Sequence, residues 1–198
     1  MVQVKKKEVH DAILRSATEL FETRGYTAST LSAIAEGANV AVASIYSYFP
    51  SKINILYEIH RPWLESWLLD LEKEVRAAPT PHEKLKKLLI GFWHDHPARN
   101  PGLANSLMEA LATNDVRRGK PNNQLQWLED RTTALMRDFF PCNNQKVLDD
   151  NLLAHVVVMA QDGFIINYRW GDVREIDALA GLLSEIILRG SAVVSESE

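Results

Sequence analysis

The stretch 31–52, LSAIAEGANVAVASIYSYFPSK, decides how this chain is read. Its first half carries Leu31, Ile34 and Ala35 at helical spacing and ends at Gly37-Ala38-Asn39, a tight-turn signal. Thr30, just ahead, is a good N-cap, because its hydroxyl can accept one of the N–H groups left open at a helix start. The second half predicts a third short helix over residues 41–47, rich in small and hydroxylated side chains. Pro50-Ser51-Lys52 then ends it, and Ser51 is placed to cap whatever helix follows.

Working outward, Val9, Ile13, Ala17, Leu20 and Phe21 recur mostly at three- and four-residue steps, and Gly25 is a C-terminal stop. Three short helices within the first 50 residues, the last two joined by a tight turn, make a helix-turn-helix arrangement. Such a motif lays its second helix in the DNA major groove, and small residues let the backbone approach closely. Phosphate contacts fix register before any base is read. Ser44, Tyr46, Ser47 and Tyr48 are suitable hydroxyl donors for them. Lys52 falls in the first turn of the next helix, where open N–H groups also favour an anion. Phe49 and one of the two tyrosines are expected to turn inward and pin the short helix to its core.

Beyond Lys52 the pattern stays helical. A long helix shares Ile55, Ile59, Trp63, Trp67, Leu71 and Val75 on one face, with Pro62 inside it predicting a kink near residues 58–61 or a break. At residues 80–83, TPHE, Thr80 can cap, Pro81 suits the first helical position and Glu83 completes a capping box. Further helices are expected over 81–96, 101–117, 122–139, 147–170 and 175–189, separated by HPARNPG, GKPNN, PCNNQ and WGDVRE. The expected architecture is therefore all-α with about nine helices: a three-helix head over residues 1–52 and a larger helical domain over 53–198.

The bulk numbers leave room for this. The net charge is −4 over 198 residues, which alone would count against a nucleic-acid partner. Residues 1–52, however, hold six basic against five acidic side chains, and the remainder 16 against 21. The N-terminal end can thus meet an anion. A single cysteine, Cys142, cannot form an internal disulfide and suits a reducing cytoplasm. No apolar run follows the basic N-terminus, so no secretory signal is expected. Nothing approaches the ~18 uninterrupted apolar residues of a membrane helix.

The segment IAEGANVAVASIYSYFPSKINIL, preceded by ATELFETRGYTASTL, resembles the N-terminal DNA-binding region of the TetR family of bacterial transcription regulators. LFETRGY closes the first helix, T-x-x-x-IA lies in the second, and V-x-x-x-x-x-Y-x-YF-x-SK follows the turn; the likeness spans about residues 9–56. It departs from the family where Gly is frequent and this chain has Asn39 and Ala43, and where Ser or Thr is frequent and it has Ala41. Losing a hydroxyl at Ala41 weakens the cap on the recognition helix by ~1 kcal/mol. A histidine frequent among the family's aromatics is absent, with Ser47 and Tyr48 in its place. The resemblance implies Thr30 near a phosphate, Val42, Ser44, Tyr46 and Ser47 facing the groove, and Lys52 on a phosphate. Val42 could meet a thymine methyl, which only the major groove offers. Lys5, Lys6 and Lys7 either follow the DNA backbone or form a solvated tail.

The resemblance also implies a C-terminal domain that binds a small molecule. Trp63, Trp67, Phe92, Trp93, Leu107, Met108, Leu111, Trp127, Met136, His155 and Met159 are candidates to line a largely apolar cavity, or simply to pack a core. His94-Asp95-His96 invites a metal reading, but residues two apart on a helix do not face each other, so neither metal nor cofactor is expected. Val156, Ala160, Gly163 and Ile166 form one stripe, and Leu179, Leu183, Ile186 and Ile187 another, which together suggest a homodimer interface. A twofold pair would present two recognition helices about 34–36 Å apart, one DNA turn.

The reading that follows is a cytoplasmic, dimeric, ligand-responsive repressor of operator DNA, with an activator or a ligand-independent DNA-binding protein as alternatives. A helical enzyme fits poorly: Tyr48-x-x-x-Lys52 copies the spacing of a short-chain dehydrogenase pair, but no Gly-rich strand-turn-helix exists to hold a dinucleotide.

Overall fold

The computed structural model describes residues 2–113, 123–169 and 175–193, with side chains throughout these except at 2–5, 143–144, 168–169 and 190–193. The described residues are helical and contain no strand. In chain order the helices are α1 (Val2–Ala28), α2 (Leu31–Gly37), α3 (Val42–Ile45), α4 (Lys52–Ala77), α5 (Pro81–Ile90), α6 (His96–Arg99), α7 (Pro101–Thr113), α8 (Asn123–Arg137), α9 (Leu152–Arg169) and α10 (Ile176–Val193). Trp170 and the expected breaks around residues 119–123 and 170–175 fall largely outside the described residues.

Packing divides the chain into two units: residues 1–66 with 100–120, and residues 67–99 with 121–198. In the first, α1 is an amphipathic helix whose Ile13, Ala17 and Phe21 are fully buried against Ile34 and Ala35 of α2, Ile45, Phe49, and Ile55 and Leu56 of α4. Each of the buried Ile, Leu and Phe side chains contributes about 1.5–3 kcal/mol through burial, and each alanine methyl about 0.8 kcal/mol. Helix α7 lies along α1. The approach is close because Gly102 has no Cβ to collide with the Glu22 carbonyl. Ser106 Oγ donates to Phe21 O at 2.6 Å and Asn100 Nδ2 to Glu22 Oε1 at 2.6 Å.

Gly25 adopts φ 79, ψ 170 inside α1, so the regular helix stops where the sequence placed its end, and a short helical turn follows. Helix α4 runs through Pro62 without the break that was one of the two expected outcomes.

In the second unit the remainder of α4 contributes Trp67, Leu68, Leu71 and Val75 to a buried core. Thr80 caps α5 as expected, Glu83 N–H donating to Thr80 Oγ1 at 3.2 Å, but the Glu83 carboxylate accepts from the Thr80 hydroxyl at 2.9 Å rather than completing the box on the backbone N–H. The single helix expected over 81–96 is instead three pieces, with a π-helical turn over Gly91–Asp95 between α5 and α6. Gly91 lies directly against Leu71, where a Cβ would clash, so an intimate α4 contact accompanies the bulge. The helix expected from 147 begins at Leu152. Residues before it form a 3₁₀ segment, and Asp150 and Asn151 take φ 53 and φ 58. Short polar side chains tolerate that left-handed backbone best. Helix α5 packs on α10, and the π turn on α9.

Candidate nucleic-acid interface

Helix α2 starts at Thr30, whose Oγ1 accepts from Ala33 N–H at 3.1 Å. The turn to α3 is made by Asn39 at φ 55, with Val40 N–H bonded to Ala35 O at 2.9 Å. Asparagine here does the work that glycine does most cheaply, at tolerable strain. The turn is held to α1 by Ser16 Oγ, which donates to Ile34 O at 3.0 Å.

Helix α3 is one turn long, and its N-cap Ala41 makes no side-chain cap bond, as its methyl requires. What fixes α3 is burial: Ile45 and Phe49 are each 1% exposed. That anchoring turns the opposite side outward. Val42 and Tyr46 are 38% and 58% exposed. Ala41, Ala43 and Ser47 are also exposed, and Ser44 is half-buried. Tyr48 is the inward tyrosine, its ring 6.0 Å from His10 and 6.5 Å from Phe49, while His10 stacks on Phe49 at 5.1 Å. His10 Nε2 is 2.7 Å from Glu58 Oε1, tying α1 to α4 behind the recognition turn. Thr30, Lys6 and Lys7 are exposed; the side chain of Lys5 lies outside the described residues.

Lys52 differs from its expected phosphate contact. Its Nζ donates to Tyr26 O at 2.6 Å and to Ser29 O at 2.9 Å, and stands 4.0 Å over the Tyr26 ring. The ammonium thus satisfies carbonyls exposed where α1 ends. Burial lowers the Lys52 pKa, with the Glu109 charge opposing. Sequence reasoning missed Glu109, on α7, whose Oε2 accepts from Thr27 N–H at 2.9 Å. No local signal announces a partner 82 residues away.

The expected cavity residues separate by unit. Trp63, Leu107 and Met108 are half-buried in the first unit, and Leu111 there is exposed. In the second, Trp67 meets Phe92 edge-on at 4.9 Å and His96 at 4.3 Å, and Trp93 stacks on Phe164 at 4.7 Å while its Nε1 donates to Val157 O at 3.0 Å. Met136 is buried and Trp127 half-buried. His155 is exposed and paired with Glu129 at 2.6 Å, and Met159 is 59% exposed, so neither lines an enclosed space within one chain. His96 is buried, 2.7 Å from Gln161, whereas His94 is exposed beside Asp95, so the two histidines serve different environments. Gln161 and the neighbouring Asp162, whose pKa burial raises, are polar groups that the apolar periodicity of α9 concealed.

On α9 and α10 the expected interface stripes are largely outward. Val156, Gly163, Ile166 and Ile186 are exposed, while Ala160, Leu179, Leu183 and Ile187 are half-buried. Leu152 and Met159 on α9 and Leu182 on α10 are exposed as well. A Cβ on Gly163 would meet nothing within 4 Å in this chain.

A one-turn helix pinned by two buried anchors, following a tight turn from the Thr30-capped α2 and exposing small and hydroxylated side chains, is the reading head of a helix-turn-helix DNA-binding regulator. Comparison with known proteins agrees: residues 13–59 match the profile of the bacterial regulatory proteins of the tetR family. The match covers the helix-turn-helix region and not the rest of the chain. It is 27% identical over 158 residues to the HTH-type transcriptional repressor KstR of Mycolicibacterium smegmatis, covering 77% of this chain and 75% of that one. It is 25% identical over 191 residues to the HTH-type transcriptional regulator QacR of Staphylococcus aureus, covering 91% and 96%. Among solved structures, the fatty acid degradation regulator FadR of Bacillus halodurans superposes with TM-score 0.64 at 22% identity, covering 91% of this chain and 94% of that one. FadR of Bacillus subtilis, solved with stearoyl-CoA, superposes with TM-score 0.62 at 22% identity, covering 93% and 98%. These structures share the fold.

Proposed function

We propose that the chain is a dimeric transcriptional repressor that leaves its operator when a small, largely apolar or aromatic effector binds. The observation that carries this reading is the orientation of α3: Ile45 and Phe49 are buried while Val42, Tyr46 and Ser47 are exposed. Residues 1–52 are the DNA-reading head, with Thr30, Ser44, Tyr46 and Ser47 supplying hydroxyls to phosphates and Lys6 and Lys7 supplying charge. Residues 53–198 bind effector and partner. The aromatic group of Trp67, Phe92 and Trp93, with Met136, supports an apolar effector, as does the stearoyl-CoA held by the Bacillus subtilis regulator.

A second copy covers the exposed faces of α9 and α10. The protein works in the cytoplasm and performs no catalysis. The effector releases DNA only because it binds the non-DNA conformation more tightly; equal affinity would shift nothing. Pro62, inside α4, sits where a bend in that helix would carry the change. The test is selection of palindromic duplexes by the full-length chain, followed by titration in rising salt. Sequence-selective binding whose affinity falls as salt rises is expected; absent or salt-insensitive binding would overturn the reading.

A further inference from the structure

We propose that α3 recognises its half-site by packing Val42 and Tyr46 against thymine C5-methyl groups, so that the operator is read chiefly by methyl contact and little by hydrogen bonds to base edges. This rests on the DNA-reading role given to α3 above and names what that face reads.

The argument begins from what the face lacks. Residues 40–51, VAVASIYSYFPS, contain no Arg, Lys, Asn, Gln, Asp or Glu. Guanine is ordinarily read by a bidentate Arg or Lys, adenine by Asn or Gln, and cytosine by a carboxylate. None of these is available from the recognition turn. The nearest amides, Asn39 and Asn54, lie in the preceding turn and on α4, where Asn54 Oδ1 accepts from Ser51 Oγ at 2.7 Å.

What the face does present is apolar. Val42 and Tyr46 are one helical turn apart, hence on one side, and are 38% and 58% exposed. Ala41 and Ala43 flank them, also exposed, with side chains too short to hold bases at a distance. The thymine methyl is the one apolar group that a base pair displays in the major groove. An aliphatic Val42 beside the edge of an aromatic ring is complementary to it. Ser44 and Ser47 remain for phosphates or either base edge. Thymine methyls therefore dominate discrimination, and they do so at positions facing Val42 and Tyr46.

The test uses duplexes enriched by the full-length chain from a randomised pool, then resynthesised with each thymine replaced in turn by deoxyuridine, which loses only the methyl. At the one or two positions per half-site that α3 reads, affinity falls about fourfold per methyl, and about 15-fold when both half-sites change together. In Val42→Ala the thymine-to-uridine ratio at one of those positions drops toward one while the others keep theirs. Enriched duplexes that bind equally well with every thymine replaced would overturn the inference and leave the DNA-binding role standing. Failure to enrich any sequence would remove that role, and this inference with it.

Discussion

Replacing Glu109 tests how the head is held. The regular part of α1 ends at Gly25, whose φ 79, ψ 170 only glycine adopts without strain, and residues 26–29 must then lead into Thr30. One side chain of the strap itself and two from elsewhere in the chain fasten it. Ser29 Oγ donates to Gly25 O at 2.6 Å, Lys52 Nζ bonds the Tyr26 and Ser29 carbonyls, and Glu109 Oε2 accepts from Thr27 N–H at 2.9 Å. Glu109→Ala removes the acceptor and the negative charge that favours the Lys52 ammonium. A bond to a charged group contributes about 1.5–3 kcal/mol when enclosed, but this site is open enough for water to replace part of it. The expected loss is about 1 kcal/mol, or a fall of about 2–4 °C in melting temperature for a chain of this length. Glu109→Gln keeps an acceptor without charge and should lose about half as much. Gly25→Ala should cost more: about 1–3 kcal/mol of backbone strain, plus collision of a Cβ with Glu109 Oε1, which would lie 2.7 Å away. Thermal denaturation of the two single variants and the double variant separates those parts, because only the collision disappears when Glu109 is alanine. A Glu109→Ala protein that melts with the wild type, or a neutral Gly25→Ala, would refute the reasoning.

Phe49→Ala removes the ring that pins α3 and should cost about 3–5 kcal/mol, read as a lowered urea midpoint with loss of DNA binding; retention of both would show that Ile45 alone suffices. His60 is buried and its pKa is lowered by desolvation to about 4. Below pH 6.5 the unfolded chain takes up a proton there that the folded chain refuses, so stability falls as pH drops from 6.5 to 4, by about 2–3 kcal/mol at pH 4.5. Urea titrations of wild type and His60→Phe at pH 7 and 4.5 measure it, and equal pH losses in the two proteins would contradict the assignment. Val156→Glu combined with Met159→Glu places charge on the exposed face of α9 and should leave a folded monomer in sedimentation velocity; an unchanged dimer would locate the interface elsewhere.

Most of the head was legible because its signals are local. Thr30, the Gly37-Ala38-Asn39 turn and Gly25 each act within four residues, as does the TPHE box of α5 outside the head, and the outward side of α3 was legible only through the family resemblance. What escaped was set by distant partners. Lys52 looks like a phosphate ligand from its position at a helix start, yet the carbonyls that claim it belong to Tyr26 and Ser29, more than 20 residues upstream. The π turn at Gly91 likewise comes with a close contact to Leu71, 20 residues upstream, and periodicity reads straight through it. His155 and Met159 were candidates to line a cavity, yet both are exposed on α9, and only tertiary packing decides which side of that helix is buried.

The reassignment of Lys52 alters the electrostatics of reading. With its ammonium held by two carbonyls and an aromatic ring, the described positive charge that remains free to meet phosphates near the N-terminal end is carried chiefly by exposed residues of α1 such as Lys6, Lys7 and Arg15. Those charges sit on a chain of net −4. Non-specific affinity, which comes almost wholly from phosphate neutralisation, is correspondingly modest. A regulator that holds DNA weakly in general must gain its preference from contacts made only at the right sequence, and the face of α3 supplies apolar ones. Weak charge and methyl reading are thus two sides of one arrangement: the first keeps the protein from lingering on arbitrary DNA, and the second lets a few thymines decide where it stays.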